Sequence, residues 1–107
     1  MSSWIYLLLA IIFEVAGTTA MKLSEGFSKL GSSIAMAIFY LASLGALTLA
    51  LKKIDVSVAY AIWAGVGTTL VAIIGIVYFK EEISTLKILS IAFIIIGVVG
   101  LHLANRA

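Results

Sequence analysis

The sequence predicts an all-α membrane protein, with four transmembrane helices forming a single transporter domain over residues 1–107. Three observations carry this. Of 107 residues, 64% are hydrophobic and only 11% charged, far less charge than the surface of a soluble domain carries. The apolar residues gather into four stretches, about 4–21, 31–51, 56–79 and 86–104, each close to the roughly 20 residues that cross a bilayer as a helix. The linkers are too short to hold a soluble domain, so consecutive spans are expected to pair as antiparallel hairpins, with both termini on one side. Proline and cysteine are absent, which excludes disulfides and thiolate metal sites. No metal or other cofactor is expected, and nothing marks an enzyme. The net charge is +2, and no basic run is long enough to engage nucleic acid. The start lacks the basic leader and small-residue cleavage site of a signal peptide, so the first stretch is read as a span.

The first span holds Glu14 as its only formal charge. A carboxylate at that depth costs about 2.5–3.5 kcal/mol on insertion scales, so something must offset it. Glu14 is therefore the candidate site for a cation, a proton, or both in turn; a satisfied structural carboxyl is the competing reading. Ala10, Gly17 and Thr18 lie three or four residues away and share its face. Being small, they leave room around the carboxylate or let another helix come close.

The second span has no charge. Tyr40 and Ser43 fall on one stripe of it, and a mid-membrane phenol needs a polar partner. Tyr40 is either a wall of the Glu14 cavity or an ordinary packed aromatic. The third span brings Tyr60, Trp63 and Gly67 onto one face with Ala64 beside them. Aromatic rings next to a carboxylate suit a hydrophobic cation, since cation–π attraction reaches about 2 kcal/mol when desolvated. An interfacial aromatic belt is the alternative for Tyr60 and Trp63. Gly65 and Gly67 are the places where a proline-free helix bends most easily, or else close-packing positions. The fourth span carries Ser90 and Gly97 a heptad apart, a small-residue seam suited to helix association in lipid. Lys87 lies near its start and can snorkel to the interface; His102, near its end, is given no role.

Loop charge is nearly even. Lys52, Lys53 and Arg106 lie on the side of the termini, against Lys22, Lys29, Lys80 and Lys87 on the other. So little bias permits insertion in both orientations, and hence an antiparallel dimer, an inverted pair built from two chains. A four-helix chain this small has little room for a lumen of its own, so a cavity beside Glu14 is expected to form between copies.

Two runs resemble signatures of the small multidrug resistance family. They are Glu14-Val15-Ala16-Gly17-Thr18-Thr19-Ala20-Met21-Lys22-Leu23-Ser24-Glu25-Gly26-Phe27 and Ala59-Tyr60-Ala61-Ile62-Trp63-Ala64-Gly65-Val66-Gly67. With the length, the four spans and the lone membrane glutamate, the likeness covers essentially the whole chain. It implies a multi-pass exporter of the bacterial inner membrane that works as an antiparallel, dual-topology homodimer. Such an exporter exchanges protons, the coupling ion, for hydrophobic organic cations by alternating access. It implies that Glu14 binds proton and substrate in turn, that Tyr60, Trp63, Tyr40 and Ser43 line the cavity, and that Gly97 belongs to the dimer seam. Gly17-Thr18-Thr19 resembles the quaternary-ammonium, multidrug branch, because the guanidinium branch typically has a tryptophan in that segment. The sequence departs from the family at Ala64, where a hydroxyl residue is common, and at Ser90, where some members have glycine. The alternatives are a guanidinium or polyamine-like cation exporter, one subunit of a heterodimeric pair, and a channel or structural membrane subunit.

Overall fold

The computed structural model describes residues 2–106 and contains four α-helices and, among those residues, no strand. They are α1 (Ser3–Leu23), α2 (Leu30–Ala50), α3 (Val56–Val77) and α4 (Thr85–Arg106). All four are long and apolar enough to cross a membrane. The expected spans are met, each shifted by a residue or two at its ends. The Arg106 side chain, which enters the loop charge balance, lies outside what the structure describes.

Local chemistry sets the ends. The Ser2 hydroxyl caps α1 by accepting the Trp4 N–H at 3.2 Å, satisfying one of the donors a helix start leaves free. At the other end the buried Ser24 accepts the Phe27 N–H on its hydroxyl and gives its own proton to the Met21 carbonyl. Glu25, Gly26 and Phe27 then take φ of 49°, 69° and 70°, and this left-handed run turns the chain into α2. α3 stops at Val77, two residues short of the expected 79. There the Phe79 N–H reaches back to Ile74 O and the Glu81 N–H to Gly75 O at 2.9 Å, with Lys80 left-handed at φ 61°. Such reversed carbonyl capping closes a helix C-terminus.

The helices do not pack simply in hairpin order. α1 lies between α2 and α3, and α4 rests chiefly on α3. The main cluster joins Leu7, Ile11 and Val15 of α1 to Ala50, Ile54, Val58 and Ala59, so α2 and α3 meet α1 where the 51–55 connection closes that end. Toward loops 24–29 and 78–84 α1 stays packed on α2, while a cavity lies between α1 and α3. The molecule is a flat layer of 47 × 36 × 18 Å over its Cα atoms, only about two helix diameters thick. No part of the α4 span is buried, and Leu86, Phe93 and Ile96 project freely from it. The chain is thus not a bundle filled by its own side chains.

Candidate functional site

Glu14 sits just past the midpoint of α1 and is half-buried. Each of its carboxylate oxygens has a distinct neighbour. Oε1 accepts the Thr18 hydroxyl proton at 3.0 Å. Oε2 faces α3 at Gly67, where an added Cβ would stand 3.0 Å away. Gly67 therefore serves as the bare patch of α3 that admits the carboxylate.

Thr18 is held in turn by Tyr40, whose hydroxyl lies 2.7 Å from Thr18 Oγ1. This links α2 to α1 and ends at Glu14. Gly17 makes it possible, since a Cβ there would meet the Tyr40 ring at 3.1 and 3.2 Å. The small residue beside Glu14 is thus a seat for the Tyr40 ring rather than empty room at the carboxylate.

Glu14, Thr18, Trp63, Ala64, Gly67, Thr68 and Val71 enclose a cavity of about 310 Å³, at the small end of the usual range for ligand sites. Its chemistry is one carboxylate, two hydroxyls, an indole and otherwise apolar wall. The Trp63 indole N–H is buried and has no hydrogen-bond partner. Ala64 and Thr68 are exposed, so the cavity opens sideways out of the helical layer as well as lengthwise.

The structure brings together Glu14, Thr18, Trp63, Ala64 and Gly67 at this cavity, with Tyr40 attached through Thr18. The remaining candidates lie elsewhere. Ser43 is buried and donates to the Ala10 carbonyl at 2.7 Å, so this pair forms a polar stitch in the α1–α2 seam. Tyr60 is 59% exposed and meets Trp63 edge-on at 5.4 Å, supporting the indole from outside. Gly65 receives α4, with Val98 Cγ2 only 2.5 Å from where a Cβ would be. α3 stays helical through Gly65-Val66-Gly67, and both glycines are points of close approach, Gly65 to Val98 and Gly67 to the Glu14 carboxylate. Ser90 and Gly97 are exposed on α4, and an added Cβ at Gly97 would meet nothing within 4 Å. Thr68 and Val71 are cavity residues that the sequence reading passed over. They continue the stripe from Ala64 at helical spacing, which is the signal that marks them. Among the described residues no group of acidic, histidine or cysteine side chains is placed to hold a metal.

Four membrane spans and one ionisable group in a small, partly aromatic cavity mark an integral membrane protein with a charged group inside its apolar layer. The sequence model of the Small Multidrug Resistance protein family matches residues 2–94, and the chain belongs to that family. It is 54% identical to the uncharacterized membrane protein YvaE of Bacillus subtilis, over 97% of this chain and 87% of that one. It is 43% identical to the multidrug resistance protein EbrB of the same organism, over 95% and 87%. It is also 38% identical to a guanidinium exporter of Proteus vulgaris, over 96% and 99%. The protein is accordingly a multi-pass transporter of the bacterial inner membrane, not an enzyme.

Proposed function

We propose that this protein exports hydrophobic, quaternary-ammonium-type cations in exchange for protons, as an antiparallel homodimer in which Glu14 binds proton and cargo alternately. The observation that carries the reading is Glu14 itself. It is a half-buried carboxylate in a cavity, with one oxygen held by a hydroxyl chain and the other free beside the bare surface of Gly67. A deprotonated Glu14 attracts a cation; a protonated one has no charge to hold it. The two ligands therefore compete for one group. If the transporter switches sides mainly when that group is occupied, exchange follows without a separate coupling device.

The wall chemistry favours greasy cargo. The guanidinium ion presents six N–H donors, one more than the arginine side chain, and they need acceptors around its plane. Apart from the carboxylate, this cavity offers two hydroxyls, and Ala64 adds none. Trp63 supplies a face for a hydrophobic cation. Kinship to a guanidinium exporter keeps that smaller cation as the second reading, and comparing direct binding of tetraphenylphosphonium and guanidinium separates the two.

Two features support a dimer. The cavity opens sideways at Ala64 and Thr68, where a second copy could complete its wall, and Gly97 leaves α4 open to close approach. The test of the whole scheme is uptake of a radiolabelled quaternary cation by proteoliposomes under a pH gradient. Glu14→Gln is expected to abolish it, and gradient-driven uptake surviving in that variant would overturn the scheme.

A further inference from the structure

A second cavity, of about 720 Å³, adjoins the first on the side of loops 24–29 and 78–84. The two share Thr18 and Val71 in their walls, so they are compartments of one path. α3 lines both, through Gly67 and Val71 within and Val71 and Gly75 farther out. That four-residue spacing keeps one face of the helix along the route. Gly67 and Gly75 are about 12 Å apart along the axis.

At the outer end stands Glu81. Its N–H donates to Gly75 O at 2.9 Å, fixing the residue at the end of α3. Its carboxylate lies over Gly75 so closely that an added Cβ would come within 2.6 Å of Oε1. Glu81 therefore stands to Gly75 as Glu14 stands to Gly67. Phe79 contributes to the outer wall as Trp63 does to the inner one. The Glu81 carboxylate is already engaged by a cation of the chain itself, since Lys87 Nζ lies 3.3 Å from Oε1. Of the other charges lining the outer cavity, Lys29 is paired with Glu25 at 3.6 Å. Lys22 is the remaining one, and it keeps the compartment from being strongly negative.

We propose that this outer cavity is a second, weaker subsite for the organic cation, with Glu81 as its carboxylate and Phe79 as its aromatic wall. A cation must displace Lys87 from Glu81 to occupy it. The proposal rests on the reading that Glu14 is the inner cation site. It gives the path a station at which cargo pauses, held by the same kind of pairing as within but against a built-in competitor, so that it leaves readily.

Equilibrium binding of tetraphenylphosphonium to the purified full-length protein in nanodiscs tests this. Glu14→Gln is expected to remove the tight component and leave a weak one. Adding Glu81→Gln to that background should weaken the residual affinity at least tenfold. Adding Lys87→Gln instead should strengthen it several-fold, a gain that misfolding cannot imitate. Lys87 lies in the first turn of α4, where a positive charge opposes the helix dipole, so its removal does not weaken the helix. Gly75→Ala, which pushes the Glu81 carboxylate aside without changing any charge, should reproduce part of the Glu81→Gln loss. Residual binding that is absent, or that ignores both Glu81→Gln and Lys87→Gln, overturns the outer subsite. Equal binding by wild type and Glu14→Gln overturns the inner-site reading instead, and the Glu81 and Lys87 variants in the wild-type background still decide the outer one.

Discussion

Thr18 has one hydroxyl proton, and that fact orders the site. With Glu14 ionised, the carboxylate can only accept, so Thr18 donates to it and the Tyr40 hydroxyl must donate to Thr18. Tyr40 thereby acts on Glu14 through Thr18 across the α1–α2 seam. A hydrogen bond to a charged group is worth about 1.5–3 kcal/mol, so Thr18→Val is expected to weaken cation binding at neutral pH by roughly ten- to a hundredfold. Tyr40→Phe removes a neutral bond worth about 1 kcal/mol and should cost about fivefold. Because the second bond works through the first, the double variant should match Thr18→Val alone rather than the product of the two. Titrating tetraphenylphosphonium into the four proteins completes the cycle, and a simple product would show that Tyr40 acts on the cargo directly. Gly67→Ala tests the other oxygen. Its Cβ would stand 3.0 Å from Oε2, so the carboxylate must retreat, and transport is expected to fall while the protein remains folded by circular dichroism.

α3 joins α4 to the α1–α2 pair, and its buried glycines are three notches with different occupants. Gly65 takes Val98 of α4, Gly67 takes Glu14 of α1, and Gly75 takes Glu81 of the following loop. Filling the first overpacks the α3–α4 contact, an error that costs about 1–3 kcal/mol. Gly65→Ala should therefore lower the thermal unfolding midpoint of the detergent-solubilised protein more than Gly97→Ala, whose Cβ would meet nothing within 4 Å in the single chain. The sequence could speak for part of this. Span lengths, the isolation of Glu14 and the Trp63–Gly67 stripe are one-dimensional signals, legible because length, charge and helical spacing need no partner to be read. The central place of α1 was not legible. In a soluble protein the apolar face marks the inside, but here Leu8, Leu41 and Leu89 are as apolar as the core and all exposed, since lipid removes that contrast. For the same reason a small residue near Glu14 reads equally as room for a ligand or as a seat for another helix. Gly17 seats Tyr40, and Ser43 satisfies a carbonyl of α1. The end of α3 was missed because its left-handed residue is Lys80, where glycine would have announced it.

At the scale of the whole molecule, an exposed apolar face is no sign of a partner, because lipid can cover it. The ionisable site is a better guide. Its cavity opens sideways past Ala64 and Thr68, and an ionised Glu14 facing hydrocarbon is costly, so the proposed dimer would place a second copy over this opening. Whether that copy is inverted is a matter of insertion, which the lysine and arginine count on the two sides decides. That count is three against four, too close to fix one orientation. Tipping it in opposite directions should produce two halves that fail alone. Lys80→Gln with three lysines appended after Ala107 leaves six against three, favouring the termini inside; Lys52→Gln with Lys53→Gln leaves one against four, favouring the reverse. None of these positions lies against Glu14. Each variant expressed singly is expected to lose most of its cation export, and co-expression of the two should restore it to near the wild-type rate, measured as efflux of a fluorescent quaternary cation from cells. Accessibility labelling of a cysteine placed at the C-terminus would confirm the two orientations independently. Full export by either variant alone, with labelling from one side only, would mean that copies sharing one orientation suffice, and the inverted pair would have to be abandoned.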